Sequence, residues 1–134
     1  MIGSIVDYTL AKQDVIRRFR RGQLSRADVC DAHPELVRAA SSLGQSAGDQ
    51  CPICRGRELK KLCYAYGSTL RRMNGRVCTP ERMKKLLETH DEFVCYEVEV
   101  CVKCHWNHLR RRFVTGRNYT GAAREGAANG ELLK

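Results

Sequence analysis

No run in the sequence approaches the roughly 20 consecutive apolar residues that a membrane-crossing helix needs. The opening MIGSIVDYTLAK lacks a basic start, and Asp7 breaks its apolar stretch, so no secretory leader is expected. The means for a large apolar core are also missing. Mean hydropathy is -0.47, and much of the 43% hydrophobic fraction is alanine and cysteine. A small domain with little to bury often needs a staple. Neither a glycine-rich phosphate loop nor a His-Glu-x-x-His pair is present, which removes two common marks of catalysis.

Cysteine and positive charge are abundant. Eight cysteines occur in 134 residues, and the net charge is +9. Residues 1–50 carry seven Lys/Arg against six Asp/Glu, and residues 51–134 carry seventeen against nine. The cysteine-rich part is therefore the basic part, and its field favours polyanions or an acidic protein face. The expected compartment is the cytoplasm, with no membrane association. Disulfides rarely persist there, which favours metal binding over a disulfide framework.

The spacing of four cysteines sharpens that reading. CPIC (Cys51, Cys54) and CVKC (Cys101, Cys104) are two Cys-x-x-Cys turns. Each turn can present two thiolates to one tetrahedral ion, and two turns complete a closed structural zinc site. The 46 residues between Cys54 and Cys101 exceed the usual gap of roughly 15–20. Lengthening the loop from about 18 to about 46 residues costs on the order of 0.8 kcal/mol. Structural zinc contributes roughly 10–16 kcal/mol in finger peptides, so the gap does not prevent the pairing.

The sequence also admits other ligand sets. His105 or His108 can replace one cysteine as a ligand, and a redox or disulfide role also fits a Cys-x-x-Cys pair. Cys30, Cys63, Cys78 and Cys95 read as buried free thiols; Cys63, Cys78 and Cys95 with His90 form a rival second metal site. Four thiolates leave no position for a reactive water, so the expectation is a non-enzymatic protein without a small-molecule substrate.

Hydrophobic periodicity gives the remaining organisation. A helix is expected from about Tyr8 to Arg21, with Val15, Ile16 and Phe19 near one face. Ser25 caps a short helix to about Cys30, with Asp28 in the capping-box position. Pro34 opens a third helix. SSLGQSAGDQ reads as a linker. Beyond it, Leu62 to Tyr66 alternates as a strand, Asn74-Gly75 marks a turn, and Thr79-Pro80 starts a helix ending near His90. FVCYEVEVC alternates clearly, with Val94, Tyr96, Val98 and Val100 on one face. HLRRRFV reads as a further strand, and the tail as mobile.

The expected class is α+β. It comprises a helical region at 1–43, a linker at 44–50, a small antiparallel zinc ribbon with an inserted helix at 51–115, and a flexible tail at 116–134. Basic clusters punctuate the ribbon: Lys60 and Lys61, Arg71 and Arg72, and Arg110, Arg111 and Arg112. In a ribbon these are expected to lie side by side. Trp106 stands among them as a ring on which an unpaired base can stack. The expected function is binding of nucleic acid or of a nucleic-acid machine, RNA polymerase or ribosome. The alternatives are an adaptor acting through its helices and a thiol-based redox or zinc sensor.

SRADVCDAHPEL, CPIC and CYEVEVCVKCHWNHL, in this order, resemble a family of small actinobacterial proteins known as a domain of unknown function. The likeness spans roughly the first 115 residues. It implies an actinobacterial cytosolic protein with a zinc ribbon, and no activity.

Overall fold

The computed structural model of the protein describes residues 3–119. The fold is α+β. In chain order its elements are β1 (Ile5–Asp7), α1 (Thr9–Arg20), α2 (Arg26–Val29), α3 (Pro34–Leu43), β2 (Gln45–Gln50), β3 (Glu58–Tyr66), a 3-10 turn (Arg71–Met73), β4 (Arg76–Val77), α4 (Pro80–Thr89), β5 (Phe93–Val100) and β6 (Asn107–Thr115). The strand order is β1-β6-β5-β3-β2, with β4 also on β3. Pairing of β3 with β2 and with β4 is antiparallel. Among the described residues, no helix is long and apolar enough to cross a membrane.

The chain groups into two compact units. One contains residues 7–62 and 97–111. Its core is formed by Ile16, Val29, Ile53, Leu59 and Trp106 together with Cys51 and Cys101. Val15 and Phe19 pack against this cluster, so the expected apolar face of α1 joins the core that contains Cys51 and Cys101. The helices are thus not a separate arm.

The segment read as a linker is mostly β2, which pairs Gln45 with Lys61 and Ser46 with Lys60. The difference has a physical cause. β2 is mostly exposed and its register slips between Ser46 and Gln50, around Gly48 at φ +88. A bulged, exposed edge strand selects the same polar and glycine residues as a linker.

The other unit contains residues 3–6, 63–96 and 112–119 of the described chain. Ala65, Leu70, Cys78, Leu86, Phe93, Cys95 and Phe113 form its core. The Asn74-Gly75 signal lies between the 3-10 turn and β4. Gly75 there adopts φ +78, and its N–H donates to Ala65 O. In β5 the Phe93 and Cys95 side is the buried one, while Val94 and Tyr96 are half-buried. The tail expected to be mobile lies, beyond Tyr119, outside the described residues.

Candidate metal centre

Each Cys-x-x-Cys turn is built by its own backbone. Cys51 N–H donates to Arg57 O at 2.9 Å, and Cys101 N–H donates to Trp106 O at 2.8 Å. Inside these brackets the Arg55 N–H returns to Cys51 O and the His105 N–H to Cys101 O. Arg55 and His105 follow the second cysteine of each turn and sit at φ 53 and 74. Both depart from the usual conformations of non-glycine residues, and such strain concentrates at sites that use it.

The same backbone aims amides at sulfur. Ile53 and Cys54 N–H groups donate to Cys51 Sγ at 3.4 and 3.5 Å. Gly56 N–H donates to Cys54 Sγ at 3.3 Å, and Cys104 N–H to Cys101 Sγ at 3.4 Å. Donors of this kind favour the thiolate, the form that binds metal.

The four sulfurs meet. Cys51 and Cys104 Sγ are 3.6 Å apart, Cys54 and Cys101 Sγ 3.7 Å apart, and all four ligand atoms lie within 4.8 Å of one another. Zinc–sulfur bonds of about 2.3 Å in a tetrahedron require sulfur separations of about 3.8 Å, so the donor set fits such an ion. Cys51 and Cys101 are fully buried, while Cys54 and Cys104 are half-buried.

Without a cation, four thiolates cannot share this space. Burial pushes the Cys51 thiol up to about 12. Burial, and then the Cys30 thiol, pushes Cys104 up to about 12. At Cys54, burial opposes ionisation, but the Gly56 N–H and the neighbouring thiols outweigh it and hold the group down at about 7. A bound cation would supply the charge that favours the thiolate form at such a site.

The histidine alternatives are accounted for otherwise. His105 is exposed. The His108 ring stacks on Trp106 at 5.9 Å, and its Nδ1 engages Leu109 O. Nor do Cys63, Cys78, Cys95 and His90 form a second centre: among the described residues, only the four cysteines cluster as metal ligands. Cys78 and Cys95 are core residues with Cys63 packed against them, and His90 Nδ1 faces Thr89 Oγ1.

The basic clusters fare differently. Lys60 and Lys61 do not lie beside the β6 arginines, because β5 runs between β3 and β6. The acids of β5 instead engage those arginines. Arg110 reaches Glu99 at 3.0 Å and lies 3.7 Å from Asp49, and Arg111 reaches Glu97 at 3.2 Å. Arg112 donates to the Tyr96 hydroxyl and lies over its ring, 5.9 Å from the centroid. Trp106, expected as a stacking platform, is 1% exposed. Its Nε1 donates to Glu99 at 2.8 Å, because the small core needs its largest ring. Arg71 and Arg72 are exposed on the 3-10 turn.

Sequence reasoning missed two features. Glu99 is a fully buried carboxylate, held by Trp106, Arg110 and Lys12. Cys30 lies 3.4 Å from Cys104 through their sulfurs. No local motif announces either contact, although Cys30 does fall within the SRADVCDAHPEL segment.

Fold and site together define an α+β protein with a closed four-cysteine centre compatible with a tetrahedral metal ion. A family of unknown function, DUF5318, matches residues 2–129, and the chain belongs to that family. It is 36% identical over 111 residues to the uncharacterized proteins Mb0050 of Mycobacterium bovis and Rv0049 of Mycobacterium tuberculosis, covering 83% of this chain and 81% of theirs. No solved structure gives a significant match.

Proposed function

We propose that the two cysteine turns form a zinc ribbon around one structural Zn2+, and that the protein is a non-enzymatic module binding nucleic acid or a nucleic-acid machine. Four soft thiolates in a tetrahedral arrangement suit zinc. The ion would close the two turns into one surface, with no open position for chemistry.

The observation that carries the binding reading is the set of cations on the turns themselves. Arg55, Arg57 and Lys103 are exposed, and none of them has a carboxylate partner among the described ion pairs. The Lys103 ammonium crosses from the second turn over Gly56 in the first, where an added Cβ would come within 2.6 Å of it. Three cations grouped on a metal-locked backbone can engage successive phosphates without prior ordering. The β6 arginines are no longer the leading candidates, because acids within the fold already engage Arg110 and Arg111. Seating of the α1 apolar face on the core also weighs against an adaptor working through that face.

The test is a titration of single-stranded and duplex oligonucleotides at several salt concentrations. Each single-strand phosphate contact should add roughly -0.7 to the log–log salt slope, so replacing all three cations with alanine should flatten it by roughly two units. Zinc content should stay unchanged. Absence of binding at low salt, or equal slopes for the two proteins, would overturn the reading.

A further inference from the structure

The four ligand cysteines have a fifth thiol beside them. Cys30 Sγ lies 3.4 Å from Cys104 Sγ, closer than Cys104 lies to Cys51. The chain holds it there from both sides. Before it, Val29 is buried in the core that contains Cys51 and Cys101, and Cys30 N–H closes α2 onto Arg26 O. After it, Asp31 accepts from the Asn107 amide at 2.9 Å, and Ala32 N–H donates to His105 O at 3.0 Å. Those two anchors bracket the residues that follow Cys104, so the segment carrying Cys30 is fixed to the second cysteine turn.

The centre is unequal toward solvent. Cys51 and Cys101 are 0% exposed, whereas Cys54 and Cys104 are half-buried and Cys30 is half-buried beside Cys104. A small oxidant reaches only the outer two ligands directly. Of these, Cys104 has a thiol outside the ligand set in contact with it. Cys63, Cys78 and Cys95 belong to the other unit.

We infer that Cys30 and Cys104 are a peroxide-oxidisable pair whose disulfide removes one ligand from the metal centre. The inference rests on the zinc reading of the four cysteines. In the first step the Cys104 thiolate attacks one peroxide oxygen: an S–O bond forms, the O–O bond breaks, and hydroxide leaves. In the second, Cys30 sulfur attacks Cys104 sulfur: the S–S bond forms, the S–O bond breaks, and the sulfenic oxygen departs as water with the Cys30 proton. Hydroxide takes up a proton from solvent, equal to the one Cys104 released on becoming a thiolate. Two thiols lose two electrons, and one peroxide becomes two waters. The site then keeps three thiolates, and its hold on zinc weakens. A thiol reductant reverses the bond and restores the ligand.

Full-length zinc-loaded protein is treated with hydrogen peroxide. Zinc release is followed with a chromophoric chelator, and bridges are mapped by mass spectrometry after alkylation. The expected result is a Cys30–Cys104 bridge, a mass loss of about 2 Da and release of the zinc, all reversed by dithiothreitol. Cys30→Ser and Cys30→Ala should retain zinc before oxidation. Under peroxide they should lose it several-fold more slowly or, where Cys104 is overoxidised to sulfinic acid, without reversal by dithiothreitol. A bridge between two ligand cysteines, or reversible release at the wild-type rate in both variants, would overturn the inference. Metal content before oxidation tests the zinc reading separately. Protein purified without metal overturns that reading, while a Cys30–Cys104 bridge in the same protein still supports the oxidisable pair.

Discussion

Glu99 shows how one residue carries more than its position in a strand announces. Its carboxylate is 0% exposed and accepts from Lys12 at 2.8 Å, Trp106 at 2.8 Å and Arg110 at 3.0 Å. A buried charge persists only when it is paired and hydrogen-bonded. Glu99→Ala would leave two cations and an indole N–H facing a void, and should cost about 3–5 kcal/mol in denaturant unfolding. Arg110→Ala leaves Lys12 and Trp106 in place and should cost about 1–3 kcal/mol. Cys78 is a second such residue, with a pH signature. Burial raises its thiol from 9.0 to about 12, so the folded state favours the neutral form. The resulting stability is complete below pH 9 and is lost as pH rises from 9 toward 12. Thermal melts across that window should show a shallower decline for Cys78→Ala than for the parent. These contacts lie on no local pattern. Alternation in FVCYEVEVC marked a strand, but no spacing rule says that its acids meet Lys12 and Arg110.

At the scale of elements, α2 is short and consequential. Its four residues cannot form a stable helix alone. Ser25 Oγ accepts from the Asp28 N–H at 3.1 Å, and Asp28 returns the bond to the Ser25 N–H at 2.8 Å. This reciprocal cap fixes the start of an element whose C-cap is Cys30, beside the four-cysteine cluster. Ser25→Ala should therefore cost about 0.5–2 kcal/mol. A structure of the variant should show Cys30 less firmly placed against Cys104. Capping was legible because it is local: side chain and amide are three residues apart. The starts of α3 at Pro34 and α4 at Pro80 were legible for the same reason. β2 was not, because an exposed edge strand shares its composition with linkers.

For the molecule as a whole, the metal should be a condition of folding. The small core that contains Cys51 and Cys101 has few apolar residues to replace a lost ion. Chelation, or Cys51→Ser or Cys101→Ser, should abolish stoichiometric zinc and unfold the unit holding the turns. Elemental analysis with circular dichroism checks this, and full zinc in Cys101→Ser would refute the four-cysteine site. By itself the sequence determined what depends on neighbours along the chain: helix starts, the alternation of β5 and the two Cys-x-x-Cys turns. The thiolate chemistry of those turns also made their pairing foreseeable across the long gap. Tertiary structure alone decided what depends on strand order. With β5 between β3 and β6, the lysines and the arginines part, Glu97 and Glu99 take Arg110 and Arg111, and Trp106 turns inward. The end of α2 brings Cys30 to Cys104 across a gap in sequence that no local pattern spans. The physical reason is common to these cases. Charge pairing and burial depend on distance in space, which only the packed strands fix.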